Sequence, residues 1–330
     1  MVLIACPTCH DLCVDRAAAT SAARLLIDNV ERVIQGKRKA IEAAATALFA
    51  GGHLLIEDVP GVGKTMLGRS LARSIRGEFK RIQATPDLLP SDVTGTAVYN
   101  QREQRFDFMP GPVFANVVLV DEINRTTPRT QSALLEAMDE NAVTVDGVRH
   151  ALPEPLFLIA TQNPIEHHGT YPLPEGQMDR FAIAMDMGYV TLEVEREIVK
   201  AQLESHPIEE LEAVLNPEEV MGVRRAVRTT HVSDSVLDYA LHLAAATREH
   251  PDLELGASPR ASIGLVRSAQ SRALLDGRDY VVPDDVKSLA ADALGHRVVA
   301  AAGLRLERGK AREIVRNIVA ETPVPVTGAR

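Results

Sequence analysis

No apolar run in this chain approaches the ~18 residues that a membrane-crossing helix needs. Strand-like stretches such as Val117-Val118-Leu119-Val120 stay far shorter. A secretory leader is not expected either: the start, Met1-Val2-Leu3-Ile4-Ala5, is apolar but has no basic flank and is cut short by Pro7. These absences predict a soluble, cytoplasmic protein. Basic residues are in deficit, with 45 Asp and Glu against 36 Lys and Arg and a formal net charge of -9. A surface built to neutralise nucleic-acid phosphates is therefore not expected. Cysteine is confined to the start, in Cys6-Pro7-Thr8-Cys9-His10-Asp11-Leu12-Cys13. Cys6, Cys9, His10 and Cys13 have the chemistry to hold zinc, but they crowd into one short segment and no later cysteine supplies a second pair. The segment reads instead as an exposed, reducible tail. No internal repeat of solenoid period is found.

What is present is a globular composition, 45% hydrophobic and 25% charged. The 330 residues exceed the ~100–200 that one hydrophobic core accommodates, which predicts two domains. From Ser21 to Phe49 apolar residues recur near the helical period as Leu25, Leu26, Val30, Val33 and Ile34, break at Gln35-Gly36, and resume as Ile41, Ala44, Ala45 and Leu48. Gly51-Gly52 then offers a left-handed C-cap. Short strands are predicted at His53 to Glu57, Phe79 to Gln83, Val117 to Asp121, Leu156 to Thr161 and Phe181 to Asp186. Helical patterns such as Lys64 to Ile75 and Thr130 to Met138 separate them. That alternation predicts a mostly parallel α/β sheet covered on both faces. Thr94 to Phe108 and Val143 to Val148 read as hairpins, the second turning at Asp146-Gly147. Beyond Met187 helices follow one another, their starts marked by Asn216-Pro217, Ser233-Asp234, Ser258-Pro259 and Val282-Pro283-Asp284-Asp285. The expected division is a tail over 1–20, an α/β core over 21–188, a small all-helical domain over 189–320 and a second tail over 321–330.

The strongest chemical pattern is Pro60-Gly61-Val62-Gly63-Lys64-Thr65, between a predicted strand and a predicted helix, the setting of a phosphate-binding loop. Its glycines let backbone N–H groups converge on a phosphate at the positive end of the helix. Lys64 is expected to reach the β and γ phosphates, and the Thr65 hydroxyl to take one magnesium position. The strict pattern wants glycine where this chain has Asp58. A second pattern supports the first: Val117-Val118-Leu119-Val120-Asp121-Glu122 is an apolar strand ending in two carboxylates, and ligands of an open parallel sheet sit at strand ends. Asp121 is expected to hold magnesium through water, and Glu122 to orient and polarise the attacking water. ATP and Mg2+ are the cofactors these residues imply.

With these motifs in place the chain resembles the AAA+ ATPases, and within them the MoxR family. The likeness extends from about Ala22 to about Ala320 and includes Thr85-Pro86-Asp87-Leu88-Leu89-Pro90-Ser91-Asp92, Gly111-Pro112-Val113-Phe114-Ala115-Asn116 and Asp121-Glu122-Ile123-Asn124-Arg125. Asp58 is part of that family text. The resemblance implies an α/β core with a helical lid, Gly36 in a segment beside the adenine, and Asn163 as the sensor 1 residue on the water or γ-phosphate. It further implies Arg180 as an arginine finger reaching the neighbouring subunit's γ-phosphate. Arg260 would be sensor 2, held by a phosphate in the interdomain crevice and coupling lid position to nucleotide state. Such proteins form rings, here expected to be hexameric, that remodel or activate client proteins, often ones with a von Willebrand factor A domain. A magnesium-chelatase-like motor, a non-hydrolysing ATP-gated module and a helicase are the rival readings.

Overall fold

The computed structural model describes residues 15–163, 170–204, 206–303 and 309–324; the segment Cys6 to Cys13 lies outside them. Helix α1 (Arg16–Glu31) starts where Asp15 accepts a hydrogen bond from the Ala18 amide, satisfying a donor that a first helical turn otherwise leaves unpaired. Its start lies within the stretch expected to be tail. Ala17-Ala18-Ala19 carries no large apolar residue to reveal a period, yet alanine has the highest intrinsic helix propensity. Helix α2 (Arg38–Ala50) ends as anticipated at Gly51, with φ at 77°.

The α/β layer follows in the order β1 (Leu54–Glu57), α3 (Lys64–Ser74), β2 (Phe79–Gln83), α4 (Pro90–Thr94), β3 (Gly95–Asn100), β4 (Arg105–Pro110), β5 (Val117–Asp121), α5 (Pro128–Glu140), β6 (Ala142–Val145), β7 (Val148–Ala151), β8 (Phe157–Gln162), α6 (Glu175–Met178) and β9 (Ile183–Met185). Strands β3–β4 and β6–β7 form the two expected hairpins. The remaining five make one parallel sheet in the order β2-β5-β8-β1-β9. Because all run the same way, Glu57, Gln162, Gln83 and Asp121 fall at one edge, paired in register as Glu57 with Gln162 and Gln83 with Asp121.

Alternation along these strands builds two cores. Leu54, Ile56, Val117, Leu119, Phe157 and Ile159 face one side, with α1, α2 and α3, whereas Leu55, Val118, Val120, Leu158 and Ala160 face the other, with Leu134 and Leu135 of α5. Every residue in these two sets is under 1% exposed, and each large one contributes ~1.5–3 kcal/mol of burial.

Residues beyond β9 form α7 (Leu192–Glu204), α8 (Pro217–Arg228), α9 (Asp234–Glu249), β10 (Leu253–Leu255), α10 (Pro259–Leu275), α11 (Pro283–Leu294), β11 (Val299–Ala300) and α12 (Lys310–Glu321). Asn216, Ser233 and Ser258 cap α8, α9 and α10 through their side chains. The short antiparallel pair β10–β11 is not visible as a period, being three and two residues long. Helices α8 and α10 share the apolar cluster of α1 and α2, so the lid is joined to the first core face rather than standing apart.

Candidate functional site

At the carboxyl edge of β1 the chain leaves the sheet at Asp58 and re-enters helix at Lys64. Gly61 and Gly63 have φ of 85° and 97°, with nothing within 4 Å of where a Cβ would stand. Both conformations are left-handed, which is why glycine is required there. Gly63 caps α3 without a side chain, and among the described residues the amides of Gly61, Val62 and Gly63 have no acceptor. An open cradle of N–H groups at the start of an eleven-residue helix suits an oligophosphate. Lys64 Nζ folds back onto the Asp58 and Val59 carbonyls at 2.9 and 3.3 Å. Burial lowers its pKa, opposed by the carboxylates of Asp58, Asp121 and Glu122.

Those acids converge on the same edge. Asp121 closes β5, and Thr161 of β8 donates to Asp121 Oδ1 at 3.3 Å while accepting the Glu122 amide at 2.9 Å. Glu122 itself adopts φ 56°, ψ 50°, a left-handed conformation that costs a non-glycine residue about 1 kcal/mol. The turn carries the Glu122 side chain to the edge, where Gln83 Nε2 reaches it at 3.4 Å and Arg125 Nη1 at 2.9 Å. Asn163 is buried directly after β8. Since β8 lies between β1 and β5, Asn163 stands between the glycine loop and the two acids. Asp121 Oδ2 is held by Arg81 at 2.6 Å. No group of three His, Cys, Asp or Glu side chains suited to a metal occurs among the described residues, so a magnesium ion would draw on Thr65, Asp121, water and phosphate.

Beside the loop lies a cavity of about 370 Å³ lined by Val33, Ile34, Gln35, Met66 and Tyr189, with Ile198 of α7 among its other walls. Its size and apolar walls fit a nucleobase. Gly36 follows these wall residues in a left-handed turn: its φ is 71°, and a Cβ there would stand 2.8 Å from Val194.

The two arginines lie at the other end of the sheet. Arg180 precedes β9, whose Ile183 is in register with Leu54 at the start of β1. It lines a cavity of about 310 Å³ together with Gly51, Gly52, His53, Asp139 and Arg260. Arg180 Nε lies 3.1 Å from Asp139 Oδ2 but outside hydrogen-bonding geometry, and Arg260 pairs with the other oxygen of the same carboxylate. The four residues of β1 alone separate this cavity from the glycine loop by ~13 Å. Arg260 thus stands at the opposite end of β1 from Lys64.

The ATPase family associated with various cellular activities (AAA) matches residues 53–183, and the AAA lid domain matches residues 245–318. A Bacillus subtilis protein, YeaC, is 50% identical over 91% of this chain and 94% of its own length. Chaperone MoxR1 of Mycobacterium tuberculosis is 41% identical over 86% of this chain and 77% of its own length. The chain belongs to the MoxR family of AAA ATPases. A Cytophaga hutchinsonii crystal structure, assigned as an ATPase, superposes with a TM-score of 0.87 at 36% identity, covering 94% of this chain and 97% of that one.

Three functional candidates in this MoxR-family chain escape sequence reasoning. Lys37, just after Gly36, donates to the Val62 carbonyl of the glycine loop at 2.9 Å. Arg81 occupies an exposed position of β2. Asp139 sits in the last turn of α5, where its pattern is that of any solvated acid. None belongs to a motif; each is recognisable only by what the fold sets against it. A larger cavity, about 920 Å³, lies between α9 and α12. It has no glycine loop, so chemistry rather than volume locates the site.

Proposed function

We propose that the chain hydrolyses ATP to ADP and phosphate as one subunit of a closed ring and uses the cycle to remodel client proteins. One observation supports this reading above the others: the phosphate cradle, Lys64, Asp121, Glu122 and Asn163 share one edge of the sheet, whereas Arg180 and Arg260 occupy the opposite one. In this reading the free amides of Gly61, Val62 and Gly63 bind the phosphates, and Lys64 swings from the Asp58 and Val59 carbonyls onto them. Thr65 and Asp121, the latter released by Arg81, would hold magnesium, which would supply neutralisation of phosphate charge. Glu122 takes a proton from the attacking water, which Asn163 orients by donating and accepting at once. Arg180, with Arg260 beside it, serves the nucleotide of an adjacent copy, because within its own chain the sheet stands between. The hairpin β3–β4, with Val98, Tyr99, Phe106 and Met109 exposed, is the surface offered to a client.

The test compares Lys64→Ala with Glu122→Gln. Lys64→Ala is expected to lose nucleotide binding in a fluorescent-ATP titration. Glu122→Gln is expected to keep that affinity while phosphate release falls by ~10²–10⁴. Equal loss of binding in both would show that the roles are wrongly assigned. A wild-type chain that binds ATP and releases no phosphate would leave only a nucleotide-gated binding module.

A further inference from the structure

Asp58, the residue standing where a strict phosphate loop has glycine, is 5% exposed, and its carboxylate has a full set of partners. Oδ1 accepts the Val59 amide at 2.7 Å. Oδ2 accepts the amides of Met187 and Gly188, each at 2.7 Å. The second pair belongs to another part of the chain: Met187-Gly188 begins the connector from β9 to α7, and Gly188 has φ of 64°. Lys37 joins the same two segments from the other side, donating to the Val62 carbonyl at 2.9 Å and to the Gly188 carbonyl at 2.6 Å.

A third strut comes from the lid. Arg312 of α12 donates to the Ala184 carbonyl at 2.7 Å and lies 3.9 Å from Glu57 and 3.5 Å from Asp186, the residues flanking Asp58 and Met187. The phosphate loop, the connector and the lid therefore meet at one polar knot. Helix α7, which the connector carries, has little else to fix it. None of its described residues is fully buried, and Leu192 and Leu203 are 80% and 81% exposed. Its residues Glu195 and Ile198 line the base cavity, and Val194 backs Gly36.

We propose that Asp58 and Lys37 are positioning residues that latch the phosphate loop to the Met187-Gly188 connector, so that the loop's nucleotide state sets the placement of α7. A loop with glycine at position 58 would have the amide cradle but no link to the connector. The carboxylate adds nothing that touches phosphate, since both of its oxygens point away into the fold. Its contribution is transmission. The assignment rests on ATP binding at the glycine loop, which the wild-type titration tests by itself.

The experiment measures hydrogen exchange over residues 187–203, with and without a non-hydrolysable ATP analogue, in the full-length wild type, Asp58→Asn and Lys37→Met. Analogue affinity, kcat, KM and melting temperature are measured alongside. Wild type is expected to gain protection there on binding the analogue. Both variants are expected to bind it within ~3-fold of wild type, to lose most of that gain, and to show kcat down ~10-fold with KM little moved. Lys37→Arg, which keeps a donor, should recover the protection. Should Asp58→Asn fail to fold, the half-buried Lys37 decides the matter. Protection that rises equally in wild type and Lys37→Met overturns the proposal, as does a wild type that binds analogue without changing over 187–203. Affinity lost by more than ~30-fold in Lys37→Met would make Lys37 a nucleotide-gripping group and overturn it too. A wild type that binds no analogue at all defeats the ATPase reading and, with it, the latch.

Discussion

The two ends of the parallel sheet are opposites. At the carboxyl edge, the backbone amides of Gly61, Val62 and Gly63 lack acceptors among the described residues, and the acids stand beside Lys64. At the amino edge, Arg180 and Arg260 crowd one carboxylate, Asp139, with Arg224, Arg267 and Arg297 lining the same cavity. Burial is the main cause that lowers Arg224 and Arg297 to about 10; Arg228 and Arg260 add to the depression, and Glu154 and Asp179 oppose it. One edge is built to receive an anion and the other to present cations. The rigid sheet between them prevents either from completing the other within one chain. In the function proposed above, the difference means that a single copy holds both halves of a site without holding a whole one.

The most direct way to break this comparison is Arg180→Ala. Turnover is expected to fall by ~10³ or more, with ATP affinity unchanged, because the arginine acts on a neighbour's transition state. Mixing these subunits with Glu122→Gln subunits, each inactive alone, should restore a fraction of phosphate release, since some interfaces then pair an intact Glu122 with an intact Arg180. No recovery at any ratio would mean that the two edges do not meet between copies. Asp139→Asn sharpens the comparison at smaller scale. It leaves both arginines in place but removes the charge that aims them, so turnover should drop by ~10-fold at unchanged ATP affinity. A loss of affinity instead would place Asp139 in the nucleotide's own pocket.

These two edges were unequally legible in the sequence. The receiving edge announces itself, because an amide cradle needs glycine at left-handed positions and a strand end needs its acids adjacent, so Gly61, Gly63 and Lys64 are neighbours in the chain, as are Asp121 and Glu122. Strands β1, β5, β8 and β9 were legible for a similar reason: strands buried on both faces, such as Val117–Asp121, are continuous apolar runs. The presenting edge assembles residues 139, 180 and 260 from α5, the segment before β9 and a lid helix. No spacing rule connects them, and helix-start chemistry at Ser258-Pro259 located Arg260 on its helix without saying which end of the sheet that helix faces. Asp58 looked like a defect in a motif because its partners, Met187 and Gly188, lie 129 and 130 residues away.

The smallest expected effect concerns stability and again separates the edges. Among the described residues, the two histidines driven furthest down, His53 to about 4 and His296 to about 3, both lie at the arginine edge. For His53 burial is the main cause. The Met138 carbonyl and Asp139 pull the other way, and Arg224 and Arg260 add to the depression. Its ring is satisfied only when neutral, with Nδ1 accepting the Leu158 amide at 3.1 Å and Nε2 donating to the Met138 carbonyl at 3.2 Å. The unfolded chain, with His53 near its ordinary value, binds the proton first as pH falls. The stabilisation is therefore complete above about pH 6.5 and is lost between there and about 4, amounting to roughly 2 kcal/mol at pH 5. Urea unfolding of wild type and His53→Gln at pH 7.5 and pH 5 measures this, since glutamine keeps the donor to Met138 without titrating. The variant should lose about 2 kcal/mol less than wild type on acidification. Equal losses would move the acid sensitivity to His296, at the same edge, and leave His53 a packed hydrogen-bonding group.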